Sequence, residues 1–201
     1  MKGNDSPLIL PPSSFLLPEP ALLVVASFSR HAEALAWAGR QLEREFGPAA
    51  LVSFFYDFNQ TRYYEATMGP GLRKHFLAFQ DLVAPDSLPA VKHSTNALEQ
   101  DLAAAGCYPE SRPLNLDPGL LTLSKFLLAT TKDQAHRVYL RDGIYAEVTL
   151  RFRAGAFEPW PWTYPDYRQP GVRAFLKDAR TFYRQRLFEQ QMEERDLGGA
   201  Q

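Results

Sequence analysis

From Ile144 to Arg153 the chain alternates without a break. Ile144, Ala146, Val148, Leu150 and Phe152 fall on one side of an extended segment, and Tyr145, Glu147, Thr149, Arg151 and Arg153 on the other. A period of two over this length predicts a strand with one face in a core and the other available to a ligand. Asn115-Leu116-Asp117 adds to the polar row, with Asn115 and Asp117 on one face and Leu114 and Leu116 on the opposite one. A chain built this way must form a sheet, cover one side of it with apolar side chains, and collect polar groups on the other.

The turn before this strand, Arg141-Asp142-Gly143, sets the register. A two-residue Asp142-Gly143 turn places Leu140 opposite Tyr145 and Val138 opposite Glu147, which mixes apolar and polar residues on one face. A three-residue loop with left-handed Gly143 pairs Leu140 with Ile144, Val138 with Ala146, Tyr139 with Tyr145 and Arg137 with Glu147. The second register keeps the faces separate and is the one predicted.

Elsewhere, Leu22–Phe28 reads as a strand. A helix follows, with Ser29 as its cap, apolar Leu35, Ala38, Leu42 and Phe46, and a stop at Gly47-Pro48. Leu51–Phe58 and Leu72–Leu82 read as two further strands, joined by a loop through Tyr63-Tyr64-Glu65 to Gly71 that is too long for a tight hairpin and is a candidate lid or site loop. Ser87 precedes a helix with Leu88, Val91, Thr95, Leu98 and Leu102 on one stripe and Gly106 at its end, and Arg112–Asp117 makes a fourth strand. The order strand-helix-strand-strand-helix-strand predicts an α+β fold, an elaborated ferredoxin-like sandwich. A further helix over about 118–131, the hairpin, and a C-terminal helix over about 171–192 extend it. Residues 1–20 carry five prolines between Pro7 and Pro20 and read as a tail, residues 21–192 as a single domain, and residues 193–201 as a frayed end.

With 201 residues, 45% of them hydrophobic, the chain can bury one sizeable core; its net charge of −1 gives no global attraction to polyanions or membranes. The single cysteine, Cys107, excludes an intrachain disulfide and suits a reducing cytoplasm. No segment has the uninterrupted apolar length of a membrane span.

Several longer motifs carry a family resemblance: Asn115-Leu116-Asp117-Pro118-Gly119, Ala135-His136-Arg137-Val138-Tyr139-Leu140, Gly143-Ile144-Tyr145-Ala146-Glu147-Val148-Thr149 and Pro161-Trp162-Thr163-Tyr164-Pro165-Asp166-Tyr167. With Phe46-Gly47-Pro48 and Met68-Gly69-Pro70-Gly71-Leu72, they resemble the bacterial and archaeal family called domain of unknown function 4416, over nearly everything from Leu22 to Arg186. The resemblance implies no activity and supplies no catalytic residues. The chain has no G-x-x-x-x-G-K-[ST] loop to wrap phosphates.

The candidate site is therefore read from residue chemistry. Asp117 before Pro118 has the grammar of a helix N-cap followed by proline at the first helical position, a structural reading that stands beside a catalytic one. Lys125 interrupts a helix apolar on most sides, and a lysine there must reach solvent or a carboxylate. By the hairpin register His136 falls on the apolar face as a packed histidine, and Arg137 opposite Glu147 is a cross-strand ion pair, worth little if exposed. The expected site holds a small anionic ligand: Lys125, Lys132 and Arg137 neutralise it, Asn115, Tyr145 and Thr149 orient it, and Glu147 or Asp117 acts as acid or base in a hydrolase or transferase step. Asp57, Asp117 and Glu147 together are the candidate ligands for magnesium. The alternative is a docking module for protein or RNA. It would use the basic stripe Arg173, Lys177, Arg180 and Arg184 and the segment Trp160–Tyr167.

Overall fold

The computed structural model describes residues 18–198, with side chains to residue 193. It is an α+β fold around a nine-stranded sheet in which every pairing is antiparallel. The elements in chain order are β1 (Ala21–Ser29), α1 (Ala32–Phe46), β2 (Ala49–Val52), β3 (Tyr56–Asp57), α2 (Glu65–Met68), β4 (Arg73–Val83), α3 (Leu88–Ala104), β5 (Asn115–Leu121), β6 (Lys125–Thr130), β7 (Val138–Arg141), β8 (Ile144–Arg153), β9 (Ala156–Pro159) and α4 (Pro170–Gly198). Strands run β2-β4-β1-β5-β6-β8-β7 across the sheet, with β3 beside β4 and β9 beside β8.

Both faces are covered. On one, Leu23 and Val25 of β1, Leu116 and Leu120 of β5 and Ile144 and Ala146 of β8 meet Leu35, Ala38 and Leu42 of α1 and Leu88, Val91 and Leu102 of α3. On the other, Leu22, Val24, Phe76, Leu121, Phe126 and Leu150 meet Val172, Leu176, Ala179 and Tyr183 of α4. Strand β1 is buried along its whole length because it lies in the middle of this three-layer stack, which is why its sequence is a continuous apolar run instead of an alternating one.

The helix expected over 118–131 is absent. Those residues form the β5–β6 hairpin, with Leu121 opposite Phe126. A run apolar on all sides is ambiguous between buried helix and buried strand, and here both faces of the sheet claim it. Asp117 therefore caps nothing; Asp117-Pro118-Gly119 lies in mid-strand, against Ala26, Val25 and Val24 of β1. Gly119 has a packing role, since a Cβ there would come within 2.3 Å of the Leu127 carbonyl oxygen and 2.7 Å of the Phe126 ring. The strand expected over 51–58 is two short strands split at 53–55, and Ser29 leaves the capping position of α1 to His31, donating instead to the Pro113 carbonyl.

The alternation of β8 is interrupted by a bulge. Leu127 pairs with Val148 but Phe126 pairs with Leu150, so Thr149 is the extra residue. Beyond it the faces exchange, and Leu150 and Phe152 join the α4 side, the side that carries Glu147. The β7–β8 hairpin combines both considered loops. Asp142 and Gly143, with φ of 53° and 74°, form the left-handed two-residue turn, while a bulge at Leu140 restores Val138 opposite Ala146 and Tyr139 opposite Tyr145. Of the expected N-terminal tail, residues 1–17 lie outside the described residues, and α4 runs to Gly198, past the boundary expected at Met192. No helix among the described residues is long and apolar enough to cross a membrane.

Candidate functional site

Strands β5 and β6 part after the pair Gly119–Leu128. Pro118, the next residue towards the N-terminal end of β5, has no N–H to give to a ladder, so the parting follows from its chemistry. The freed edge of β5 is closed by two side chains of α3. Lys92 Nζ donates to the Leu116 carbonyl at 2.8 Å, and Glu99 Oε1 accepts from the Leu116 amide at 2.7 Å. Seven residues apart, Lys92 and Glu99 stand two turns apart on one helix face. They take the place of the strand that Pro118 turns away.

Over this gap lies a cavity of about 570 Å³. Asn115 and Asp117 of β5, Leu128–Thr130 of β6 and Glu147 of β8 line its floor; Tyr63, Tyr64, Lys132, Gln134 and Tyr164 stand around it. Phe28, Phe58 and Tyr64 form an aromatic wall, with ring centroids 4.8–5.7 Å apart. Five cations and three carboxylates line the space. At the deep side Lys74 is 2.7 Å from Asp166, both buried, with its ammonium 4.4 Å from the Tyr167 ring centroid. Arg112 bonds Glu99 at 2.9 Å and donates to Asn115 Oδ1. Lys92 is 3.9 Å from Asp117. Lys132, exposed at the rim, donates to the Tyr63 hydroxyl at 2.8 Å and forms no ion pair among the described residues.

At the far end of the floor Arg137 and Glu147 meet at 2.9 Å, and both side chains are 1% exposed. Glu147 also receives the Thr149 hydroxyl at 3.3 Å and meets His136 Nε2 at 3.2 Å, while Arg137 donates to the Lys132 carbonyl and the Tyr164 hydroxyl. The pair expected on the polar sheet face is thus part of a buried hydrogen-bonded network. His136, expected on the apolar face, instead stacks on Trp162 and joins it. The segment Trp160–Tyr167 closes over the β8 bulge: Trp162 Nε1 donates to the Val148 carbonyl and the Thr163 hydroxyl to that of Thr149.

Among the described residues, two that line the cavity carry a buried polar group with no partner there, Asn115 Nδ2 and the Tyr167 hydroxyl. A guanidinium can only donate, so Arg112 fixes the Asn115 oxygen towards itself and leaves the amide N–H₂ free. Burial, with Asp117 next in effect, pushes the Tyr64 and Tyr167 hydroxyl pKa values up, so both stay protonated. Burial likewise raises the Glu99 carboxyl, against the pull of Lys92 and Arg112.

Of the expected site residues, Asn115, Asp117, Lys132, Arg137 and Glu147 line this cavity. Thr149 stands behind Glu147. Tyr145 does not reach the lining and packs on Tyr139, 5.3 Å between centroids. Lys125 is exposed at the far end of β6, opposite Arg151, because its segment is a strand and not a helix. Asp57 is exposed on β3 opposite Arg73. No three His, Cys, Asp or Glu side chains among the described residues gather to share a metal ion, so Asp57, Asp117 and Glu147 do not form the expected magnesium set. The basic stripe of α4 is partly engaged: Arg180 donates to the Leu123 carbonyl and lies 3.7 Å over Phe152, and Arg173 donates to Phe157.

The family model described as Domain of unknown function (DUF4416) matches residues 19–183. The chain belongs to the DUF4416 family. Comparison with curated proteins and with solved structures returns no match. In this DUF4416 chain, sequence reasoning missed Lys74, Lys92, Glu99 and Arg112, and reached Tyr64 and Asp166 only as members of the Tyr63–Gly71 loop and the Trp160–Tyr167 segment. A signal for two of them was present: Lys92 and Glu99 interleave with Leu88, Thr95 and Leu102 on a core-facing stripe, where a charge needs a buried partner.

Proposed function

We propose that this domain binds a small anionic ligand, phosphorylated or nucleotide-like, in the cavity between β5 and β6. The observation that carries the reading is Lys132, the lining cation that no carboxylate among the described residues neutralises, at the rim of a space whose floor includes Asn115, its Nδ2 buried and unpartnered among those residues. The volume, about 570 Å³, suits a ligand of nucleotide or sugar-phosphate size. Glu147 is consumed in holding Arg137, so a hydrolase or transferase step would use Asp117, whose side chain is 27% exposed.

The same reading includes an elaborated ferredoxin-like core, supported by the order β2-β4-β1-β5 with α1 and α3 as crossovers on one face. It also includes a reducing cytoplasm, which suits the free Cys107. The test is a thermal-shift screen of nucleotides, sugar phosphates and inorganic phosphate, each with and without magnesium. A ligand at about a hundredfold its Kd should raise the melting temperature by on the order of 5 °C, by mass action. Lys132→Ala should abolish that shift. A shift that survives this substitution places the ligand elsewhere.

A further inference from the structure

The floor and the rim of the cavity differ in chemistry, and the difference orients a ligand. On the floor every cation already has a close acceptor: Lys74 has Asp166, Arg112 has Glu99, Arg137 has Glu147, and Lys92 has the Leu116 carbonyl with Asp117 beyond. Beside the two unpartnered groups, Asn115 Nδ2 and the Tyr167 hydroxyl, stands Asp117, which can only accept. An anion placed here would meet the carboxylates of Asp117 and Asp166 with every neighbouring floor cation already paired. A hydroxyl would not, because it donates to the carboxylate and accepts from the amide at once. Neighbouring hydroxyls satisfy all three protein groups, and the aromatic wall of Phe28, Phe58 and Tyr64 offers a ring face to the C–H side of such a ligand. At the rim the arrangement is reversed: Lys132 has no carboxylate and is open to solvent.

Building on the anion-binding reading, we propose that the ligand is a phosphorylated polyol that enters hydroxyl end first. Its hydroxyls pair with Asn115, Asp117 and Tyr167, and its phosphate stays at the rim against Lys132. A free sugar phosphate and the ribose-phosphate part of a nucleotide share this chemistry.

Isothermal titration of the full chain with ribose 5-phosphate, ribose, inorganic phosphate and a nucleoside 5′-monophosphate tests the orientation. Ribose 5-phosphate should bind at least tenfold more tightly than either ribose or inorganic phosphate. Lys132→Ala should reduce it to the level of ribose, and Asp117→Asn should weaken it about tenfold to a hundredfold while leaving inorganic phosphate unchanged. Tyr167→Phe removes a hydroxyl that has no partner among the described residues, so it should keep or raise the melting temperature while weakening ribose 5-phosphate. Tighter binding of the nucleoside monophosphate than of ribose 5-phosphate assigns the site to nucleotides, and the reverse assigns it to free sugar phosphates; either outcome supports the orientation. Inorganic phosphate binding as tightly as ribose 5-phosphate, or Asp117→Asn and Tyr167→Phe both at wild-type affinity, overturns it while leaving an anion site standing. Binding of none of the four removes the anion-binding reading as well.

Discussion

Arg137 Nε and Glu147 Oε2 meet at 2.9 Å with both side chains sealed from solvent, although Arg137 directly precedes β7, a strand exposed along its length, and Glu147 lies across the hairpin on β8. The sealing comes from above, where Tyr164 and the stacked pair Trp162–His136 cover them. Removing one partner leaves the other as an uncompensated buried charge. Arg137→Met or Glu147→Gln should therefore cost about 3–5 kcal/mol in urea unfolding, far above the ~1 kcal/mol of an exposed pair. The double replacement Arg137→Met with Glu147→Met should recover much of that loss. Additive single costs would show that the two act independently.

Gly119→Ala should destabilise by about 1–3 kcal/mol, because the new methyl has no room between the Leu127 carbonyl and the Phe126 ring. Gly155→Ala serves as a comparison of a different kind: nothing lies within 4 Å there, and the strain comes from a φ of 83°. Urea midpoints compare the two costs, and hydrogen exchange in β6 should rise for Gly119→Ala alone.

His75 is buried with neither ring nitrogen partnered among the described residues, and burial lowers its pKa from 6.5 to about 4. A depressed histidine binds protons in the unfolded chain before it does so in the folded one. Its contribution is thus complete above pH 6.5 and is lost as the pH falls towards 4, a change on the order of 3 kcal/mol. Stability measured from pH 7 to pH 4 should fall with that profile, and His75→Phe, which keeps the stack on Phe55, should flatten it.

Glu99→Gln keeps an oxygen for the Leu116 amide but turns an N–H₂ towards Arg112, which already donates there. It should cost about 1–3 kcal/mol, as expected for a buried group left without its charge-assisted bonds. Glu99→Asp, too short to bridge Arg112 and Leu116 together, should fail in the same direction. Wild-type melting temperatures in both would remove the bridge from the account of the fold.

The sequence carried the strands best where one residue type marks each face. The β8 alternation located Glu147, and its hairpin fixed Tyr139 against Tyr145. It misled where a local pattern had two physical solutions. Asp117-Pro118 satisfies the grammar of a helix start, and also that of a strand leaving its neighbour, and only the stacking of α3 and α4 on opposite faces decides between them. Lys125 was misplaced for the same reason. Thr149 pointed correctly towards Glu147, yet the bulge that holds it could not be read, since it depends on the Thr163 and Trp162 side chains that take up its carbonyls. Lys74 and Asp166 meet across 92 positions of chain, a distance over which no local periodicity speaks.

Because side chains close the β5 edge, the gap beneath the cavity has a width set by torsion angles instead of by the fixed spacing of a ladder. Lys92 and Glu99 can swing where a strand would have to peel. The floor is thereby the one stretch of β5 able to yield to a guest without unzipping its bonds to β1, and the Leu116 amide is the reporter to watch: its exchange rate should follow the occupancy of the cavity while the amides of Asn115 and Asp117 hold steady.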